Sequence, residues 1–98
     1  MEIVLHFNSQ NYVKGKDILF KDDAVSRASI VFKEGSIIGK DGYYCLLRGT
    51  DEQCKKAMEL TKDLAQEVTG KDKDELIYRI KQEEDRASIG MGGIFQDF

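Results

Sequence analysis

Residues 39–53 read GKDGYYCLLRGTDEQ and place a turn, a strand and a helix start in direct succession. The Asp-Gly pair at 41–42 lies between strand-like residues and predicts a hairpin, because both residue types tolerate positive φ. Tyr43–Arg48 is apolar on both faces apart from its end, which is typical of a strand in the middle of a sheet. Thr50 and Gln53 then have the spacing of a capping box, so a helix is predicted to start here.

The sequence before this stretch contains further strand patterns. Ile3, Leu5 and Phe7 alternate with their neighbours, which predicts a first strand with one buried face. After a polar break at 8–11, the short apolar stretches within residues 12–20 are interpreted as one bent strand or a small hairpin, and residues 22–27 as a loop or short turn. Ala28–Phe32 alternates again and predicts a strand that bends at Gly35.

The sequence after residue 53 has helical periodicity. Apolar residues recur every three or four positions from Cys54 to Val68, which predicts a helix closed by Gly70. A second helix is predicted from Asp72 to about residues 86–88. The expected fold class is therefore α+β, with an antiparallel sheet of three to four strands followed by two C-terminal helices packed on one face. Residues 1–89 are expected to form a single domain and residues 90–98 a Gly-rich apolar tail.

Composition limits the classes of function. The chain has 98 residues, of which 41% are hydrophobic and 34% charged, so we expect one folded domain. Its formal charge of -3 argues against a general nucleic-acid binder. Two cysteines and an N-terminus without a signal or membrane pattern predict a cytoplasmic protein with no membrane partner.

No complete catalytic or cofactor motif is present, so the sequence predicts neither an enzyme nor a cofactor. His6, Cys45 and Cys54 lack the close paired spacing of a zinc site, and both thiols are interpreted as core residues. The residues from Gly35 to Lys40 lack the spacing and the following Ser or Thr of a phosphate-binding loop.

Acidic residues suggest an alternative function as a calcium- or magnesium-binding protein. Asp72, Asp74 and Glu75 cluster at the start of the second predicted helix, where they form a hard-cation site if a second acidic group meets them in space. Lys71 and Lys73 lie between them and would compete for these carboxylates.

The C-terminal tail carries the candidate partner-binding residues. Three glycines at 90–93 predict a hinge. The large apolar side chains within and after this hinge are Met91, Ile94, Phe95 and Phe98. Such side chains must dock either on the chain itself or on another surface. The sequence therefore favours a protein-interaction or regulatory module that self-associates, or binds a protein partner, through an exposed sheet edge or this tail.

A third surface is the set of tyrosines near lysines. Tyr12, Tyr43 and Tyr44, with Lys14, Lys16 and Lys40, would stack single-stranded bases if they shared an open sheet face. The negative net charge argues against that use.

Overall fold

The computed structural model describes the backbone of residues 1–96 and the side chains of residues 1–84. Its elements are β1 (Glu2–Phe7), α1 (Ser9–Lys21), β2 (Ser29–Glu34), β3 (Tyr43–Arg48), α2 (Asp51–Leu60), β4 (Ala65–Val68) and α3 (Lys71–Gln96), with short 3₁₀ turns at Val25–Arg27 and Gly35–Ile38. The four strands form one sheet in the order β2-β3-β1-β4, and every neighbouring pair is antiparallel. The α+β class and the antiparallel sheet, expected from the sequence to have three to four strands, are confirmed.

The first six long elements follow the order β-α-β-β-α-β. In this arrangement β3 separates β1 from β2 in the sheet, which is the split β-α-β connectivity of ferredoxin-like domains. The third helix, α3, is an addition to that unit. No helix within residues 1–96 is long and apolar enough to cross a membrane.

The helices lie on both faces of the sheet. Ile3, Leu5 and Phe7 of β1 share one core with Leu19 of α1 and Ala57 of α2. On the other face, Val4 of β1 and Leu46 of β3 form a second core with Leu76 and Ile80 of α3. This differs from the expected single helical layer. The physical reason is that both central strands are apolar on both faces, so each face needs a cover.

The first helix, α1, replaces the bent strand or hairpin expected within residues 12–20. Asn8 caps it by accepting a hydrogen bond from the backbone N–H of Asn11 at 2.8 Å. Gly15 is buried on the core side of the helix, where any Cβ would overlap the Phe7 ring. A glycine at this core position removes the apolar side chain that would have marked the helical stripe.

The helix α2 begins as predicted and ends ten residues before the predicted stop at Gly70. Thr50 accepts from the Gln53 N–H at 3.1 Å and the Gln53 side chain accepts from the Thr50 N–H at 2.9 Å, which confirms the capping box. The helix ends at Leu60, and the buried Thr61 hydroxyl donates to the Ala57 carbonyl at 2.7 Å.

The residues after this stop form a fourth strand. Ala65–Val68 pairs with the edge of β1 that faces away from β3. Pairing with that edge satisfies backbone groups that β1 would otherwise leave unbonded, and this long-range requirement outweighs the helical periodicity.

The Asp-Gly turn predicted at 41–42 lies at the end of an eight-residue connection, 35–42, between β2 and β3, so the two strands are not joined by a two-residue hairpin. Gly39 and Gly42 have φ of 71° and 78°, values that L side chains rarely adopt. The helix α3 starts at Lys71, next to the predicted Asp72, and it continues to Gln96, beyond the end predicted at residues 86–88.

Candidate interaction surface

The outer edge of β2 is the more apolar of the two edges of the sheet. Within residues 1–96, β2 pairs with β3 on one side and with no strand on the other. The Gly35 N–H donates to the Gly42 carbonyl at 2.8 Å, just beyond the paired residues of the two strands. Hydrogen-bonded positions alternate in an antiparallel pair, so Val31 and Lys33 direct their backbone groups toward β3. The outward backbone groups therefore belong to Ile30, Phe32 and Glu34.

Both faces next to this edge carry half-buried apolar side chains. Ile30 and Phe32 pack at the margin of the core under α1 and α2, while Val31 packs at the margin of the core under α3. Phe20 of α1 is 48% exposed, and its ring centroid lies 6.0 Å from that of Phe32. The edge thus combines unpaired backbone groups with apolar surface that still contacts water.

A row of side chains on α1 forms the wall beside this edge. Tyr12, Lys16 and Phe20 follow one another at four-residue spacing and all lie against Phe32. The Lys16 ammonium is 5.7 Å from the Tyr12 ring and 5.9 Å from the Phe32 ring, within the range of a cation–π interaction. Tyr12 is also stacked on Tyr43, with centroids 3.8 Å apart and planes 9° apart. These contacts hold the wall in place.

We call this region the β2 edge surface. It consists of the outward backbone groups of Ile30, Phe32 and Glu34, together with the side chains of Lys16 and Phe20. The opposite edge of the sheet is different in character: β4 has only four residues, and its two central side chains, Gln66 and Glu67, are exposed and polar. Short length protects an edge strand from further pairing, and β2 is longer than β4 and carries three consecutive apolar residues, Ile30–Phe32.

The sequence contains the signal for the strand, but only the structure shows that the strand is an edge. The alternation of Ala28, Ile30 and Phe32 predicts a strand without saying which neighbours it has. Phe20 lies 12 positions before Phe32, the residue of β2 that it contacts, so no short-range pattern connects the two. The β2 edge surface was therefore missed, although a sheet edge in general was expected.

The three tyrosines singled out in the sequence do not share one face. Tyr12 and Tyr43 are stacked beside Lys16, whereas Tyr44 packs in the core under α3 and is nearly buried. Burial, and then the nearby Asp72 charge, raise the pKa of Tyr44. The continuous aromatic and basic face needed for base stacking is therefore divided between the two sides of the sheet.

Two shallow clefts lie near the start of α1. One has a volume of about 340 Å³ and is lined by His6, Asn8, Asn11 and the loop before β4. The other, of about 260 Å³, lies between Ser9 and the β2–β3 hairpin. His6 is held between them, because its Nε2 donates to the Asp41 carbonyl at 2.9 Å and its ring lies 4.8 Å from that of Tyr44. This hydrogen bond makes His6 part of the hairpin's support.

Both thiols are buried, as the sequence predicts. Cys45 lies on the central strand β3, where burial raises its thiol pKa to about 12. Burial is also the main cause of the raised pKa of Cys54, opposed by the nearby N-terminal ammonium group. A raised pKa keeps each sulfur protonated and poorly nucleophilic at neutral pH.

The acidic cluster predicted as a cation site lies at the start of α3. Asp72 and Asp74 are in the first turn, where they stabilise the positive end of the helix dipole. Lys73 turns away from the carboxylates and donates to the Glu2 carbonyl at 3.0 Å. Among the side chains the structure describes, no three His, Cys, Asp or Glu residues come together as metal ligands. The site at Asp72, Asp74 and Glu75 stays a prediction.

The predicted partner-binding side chains of the tail lie outside the described residues. They are Met91, Ile94, Phe95 and Phe98. A role for the tail therefore stays a prediction as well.

Comparisons of the chain with protein-family models, with curated proteins and with solved structures found no match. Ferredoxin-like connectivity supports many unrelated activities.

Proposed function

We propose that this chain is a protein-interaction module that binds an extended segment along the outer edge of β2. The observation that carries the proposal is the row of outward backbone groups at Ile30, Phe32 and Glu34. A strand added there gains main-chain hydrogen bonds, which is the recognition mode known as β-augmentation.

The side chains around the edge supply the apolar part of the binding energy. An added strand would cover Ile30 and Phe32 on one face and Val31 on the other, all of them half-buried in the isolated chain. It would also cover part of Phe20, which is 48% exposed. Burial of apolar surface contributes about 25 cal/mol per Å², so these residues add to the backbone hydrogen bonds.

A proline at Glu34 tests the proposal with little disturbance of the fold. The backbone of Glu34 has φ of -69°, which matches the fixed φ of proline, and its side chain is exposed. Its N–H points outward, so Glu34→Pro removes a donor from the β2 edge surface without removing a bond to β3. Glu34→Gln is the matched control, because it removes the charge and keeps the N–H.

The measurement is an amide NMR titration with a short capped peptide of alternating threonine and valine. We expect the largest shifts at the amides of Ile30, Phe32 and Glu34, and weaker binding in Glu34→Pro than in Glu34→Gln. Shifts confined to Ala65–Val68, or equal binding by the two variants, would remove the support for β2 as the binding edge.

A further inference from the structure

We infer that the strand bound at the β2 edge surface is β2 of a second copy of this chain, paired antiparallel about a two-fold axis at Val31. The inference rests on the proposed function and names its partner. It follows from the side chains that the sequence of β2 places opposite one another when two copies meet.

The proposed register gives every apolar residue of β2 an apolar partner. The outward backbone groups lie at even-numbered positions, so these residues form the hydrogen-bonded pairs between copies. With the axis at Val31, Ile30 bonds to Phe32 of the second copy, and Phe32 bonds to its Ile30. Val31 then faces Val31 of the second copy across a close pair without hydrogen bonds. Aromatic and β-branched residues opposite one another stabilise a sheet.

Neighbouring registers are less favourable. An axis at Phe32 would place Ile30 opposite Glu34 and Val31 opposite Lys33, so apolar residues would face charges. An axis at Lys33 would bring two ammonium groups together, which is destabilising. An axis at Ile30 would place Val31 opposite Ser29, so Val31 would lose its apolar partner.

The proposed pairing also produces a closed dimer and no larger assembly. A two-fold axis makes the contact isologous, so both β2 edges are used up in one dimer. The remaining edges belong to β4, which is short and exposes Gln66 and Glu67. A closed dimer with a continuous eight-stranded sheet is the expected product, since each copy contributes its four strands.

Cysteine crosslinking tests both the partner and the register. Val31→Cys places two thiols at a pair without hydrogen bonds, where Cα atoms are about 4.5 Å apart, a distance that a disulfide spans. Ser29→Cys is the matched control, because the two Ser29 positions would be offset by four residues, or about 13 Å. The native thiols, Cys45 and Cys54, are buried and leave the background low.

The full-length cysteine variants are treated with oxidised glutathione, and non-reducing electrophoresis detects the crosslink. Sedimentation of the unmodified chain over a range of concentrations measures its oligomeric state. Circular dichroism confirms that each variant is folded. We expect a concentration-dependent dimer, a crosslink in Val31→Cys and none in Ser29→Cys. Glu34→Pro should raise the dissociation constant about tenfold or more, because symmetry removes two hydrogen bonds at once.

The outcomes separate this inference from the proposed function. A chain that stays monomeric at all concentrations, but still shows peptide-induced shifts at Ile30 and Phe32, overturns the second copy as partner and leaves β2 as a binding edge. Absence of both the dimer and the peptide shifts overturns both proposals. A dimer in which Val31→Cys does not crosslink overturns the register.

Discussion

Gly42 is the residue at which the β2–β3 hairpin passes closest to the end of β1. Its φ is 78°, and a Cβ there would lie 2.5 Å from the Phe7 carbonyl oxygen and 2.8 Å from Nε2 of His6. Gly39 has a similar φ of 71°, but a Cβ there would meet no atom within 4 Å. A substitution at Gly39 therefore introduces backbone strain alone, whereas a substitution at Gly42 introduces the same strain together with a steric clash.

We expect Gly42→Ala to lower the free energy of unfolding by about 3 kcal/mol, and Gly39→Ala by about 1 kcal/mol. The left-handed backbone accounts for roughly 1–2 kcal/mol in either variant, and the clash with β1 adds the remainder at Gly42. Urea denaturation of both variants measures the difference. Equal losses would mean that the hairpin moves away from β1 at no cost.

Cys45 makes the stability of the fold sensitive to alkaline pH. Burial raises its thiol pKa from 9.0 to about 12 in the folded chain. Between these values the unfolded chain loses the thiol proton while the folded chain keeps it. The contribution of the protonated Cys45 thiol to the free energy of unfolding is therefore complete below pH 9 and is lost as pH rises toward 12.

We expect the free energy of unfolding to fall between pH 9 and 11 more steeply in the native chain than in Cys45→Ala. The difference in slope is on the order of 1 kcal/mol per pH unit. Urea denaturation at a series of pH values measures both slopes, and Cys45→Ala is compared by slope because its cavity costs the same at every pH. Parallel curves would show that the thiolate is tolerated in the folded chain.

At the scale of elements, the sequence correctly predicts those elements whose signals lie within their own residues. The capping box at Thr50 and Gln53 marked the start of α2, and the apolar run at Tyr43–Arg48 marked β3 as central. These signals depend on neighbours in sequence, so they are visible without the fold.

Two elements depended on distant contacts and were missed. At Gly15, the side chain that fills the core position comes from Phe7, so α1 lacks a complete apolar stripe of its own. For β4, the deciding factor is the unpaired edge of β1, with Val68 opposite Val4. No pattern within residues 54–68 reveals that edge, and the helical spacing there continues past the true helix end.

The helix α3 is an integral cover of the sheet, and its buried side chains show where it is held. Leu76 and Ile80 are fully buried against the face formed by Val4 and Leu46. Lys33 of β2 forms a salt bridge with Glu83 farther along the same helix. Removal of the apolar contacts should therefore affect the stability of the whole domain.

We expect Ile80→Ala to lower the free energy of unfolding by about 2–5 kcal/mol, through lost burial and the cavity that remains. Tyr78 lies on the same helix but is 60% exposed, so Tyr78→Ala should lower the free energy of unfolding by much less. Thermal or urea unfolding compares them. If Ile80→Ala unfolds in two separate transitions, α3 detaches independently of the sheet.

At the scale of the whole molecule, the strand order decides which surfaces are available. The pattern at Tyr43–Arg48 indicates that β3 lies inside the sheet, but the pattern at Ala28–Phe32 does not indicate that β2 lies at its edge. The order β2-β3-β1-β4 leaves the apolar strand at one edge and the short polar strand at the other. The interaction surface is thus a property of the assembled sheet, and only its components were visible in the sequence.

The β2 edge surface and the C-terminal tail lead to opposite expectations for a truncated chain. The β2 edge surface lies entirely within residues 16–34, so we expect a chain ending at residue 89 to keep the concentration-dependent dimer. Sedimentation of this truncated chain, of Glu34→Pro and of the native chain compares the two surfaces directly. Circular dichroism identifies any loss of folding that would make the comparison invalid for a given variant.

A truncated chain that is folded and monomeric, together with an unaffected Glu34→Pro dimer, would assign self-association to Met91, Ile94, Phe95 and Phe98. A truncated chain that still dimerises, together with a monomeric Glu34→Pro, would assign self-association to β2. The comparison is decisive because the two variants alter different physical terms: the proline removes a backbone donor from a sheet edge, whereas the truncation removes apolar side chains and leaves that donor in place.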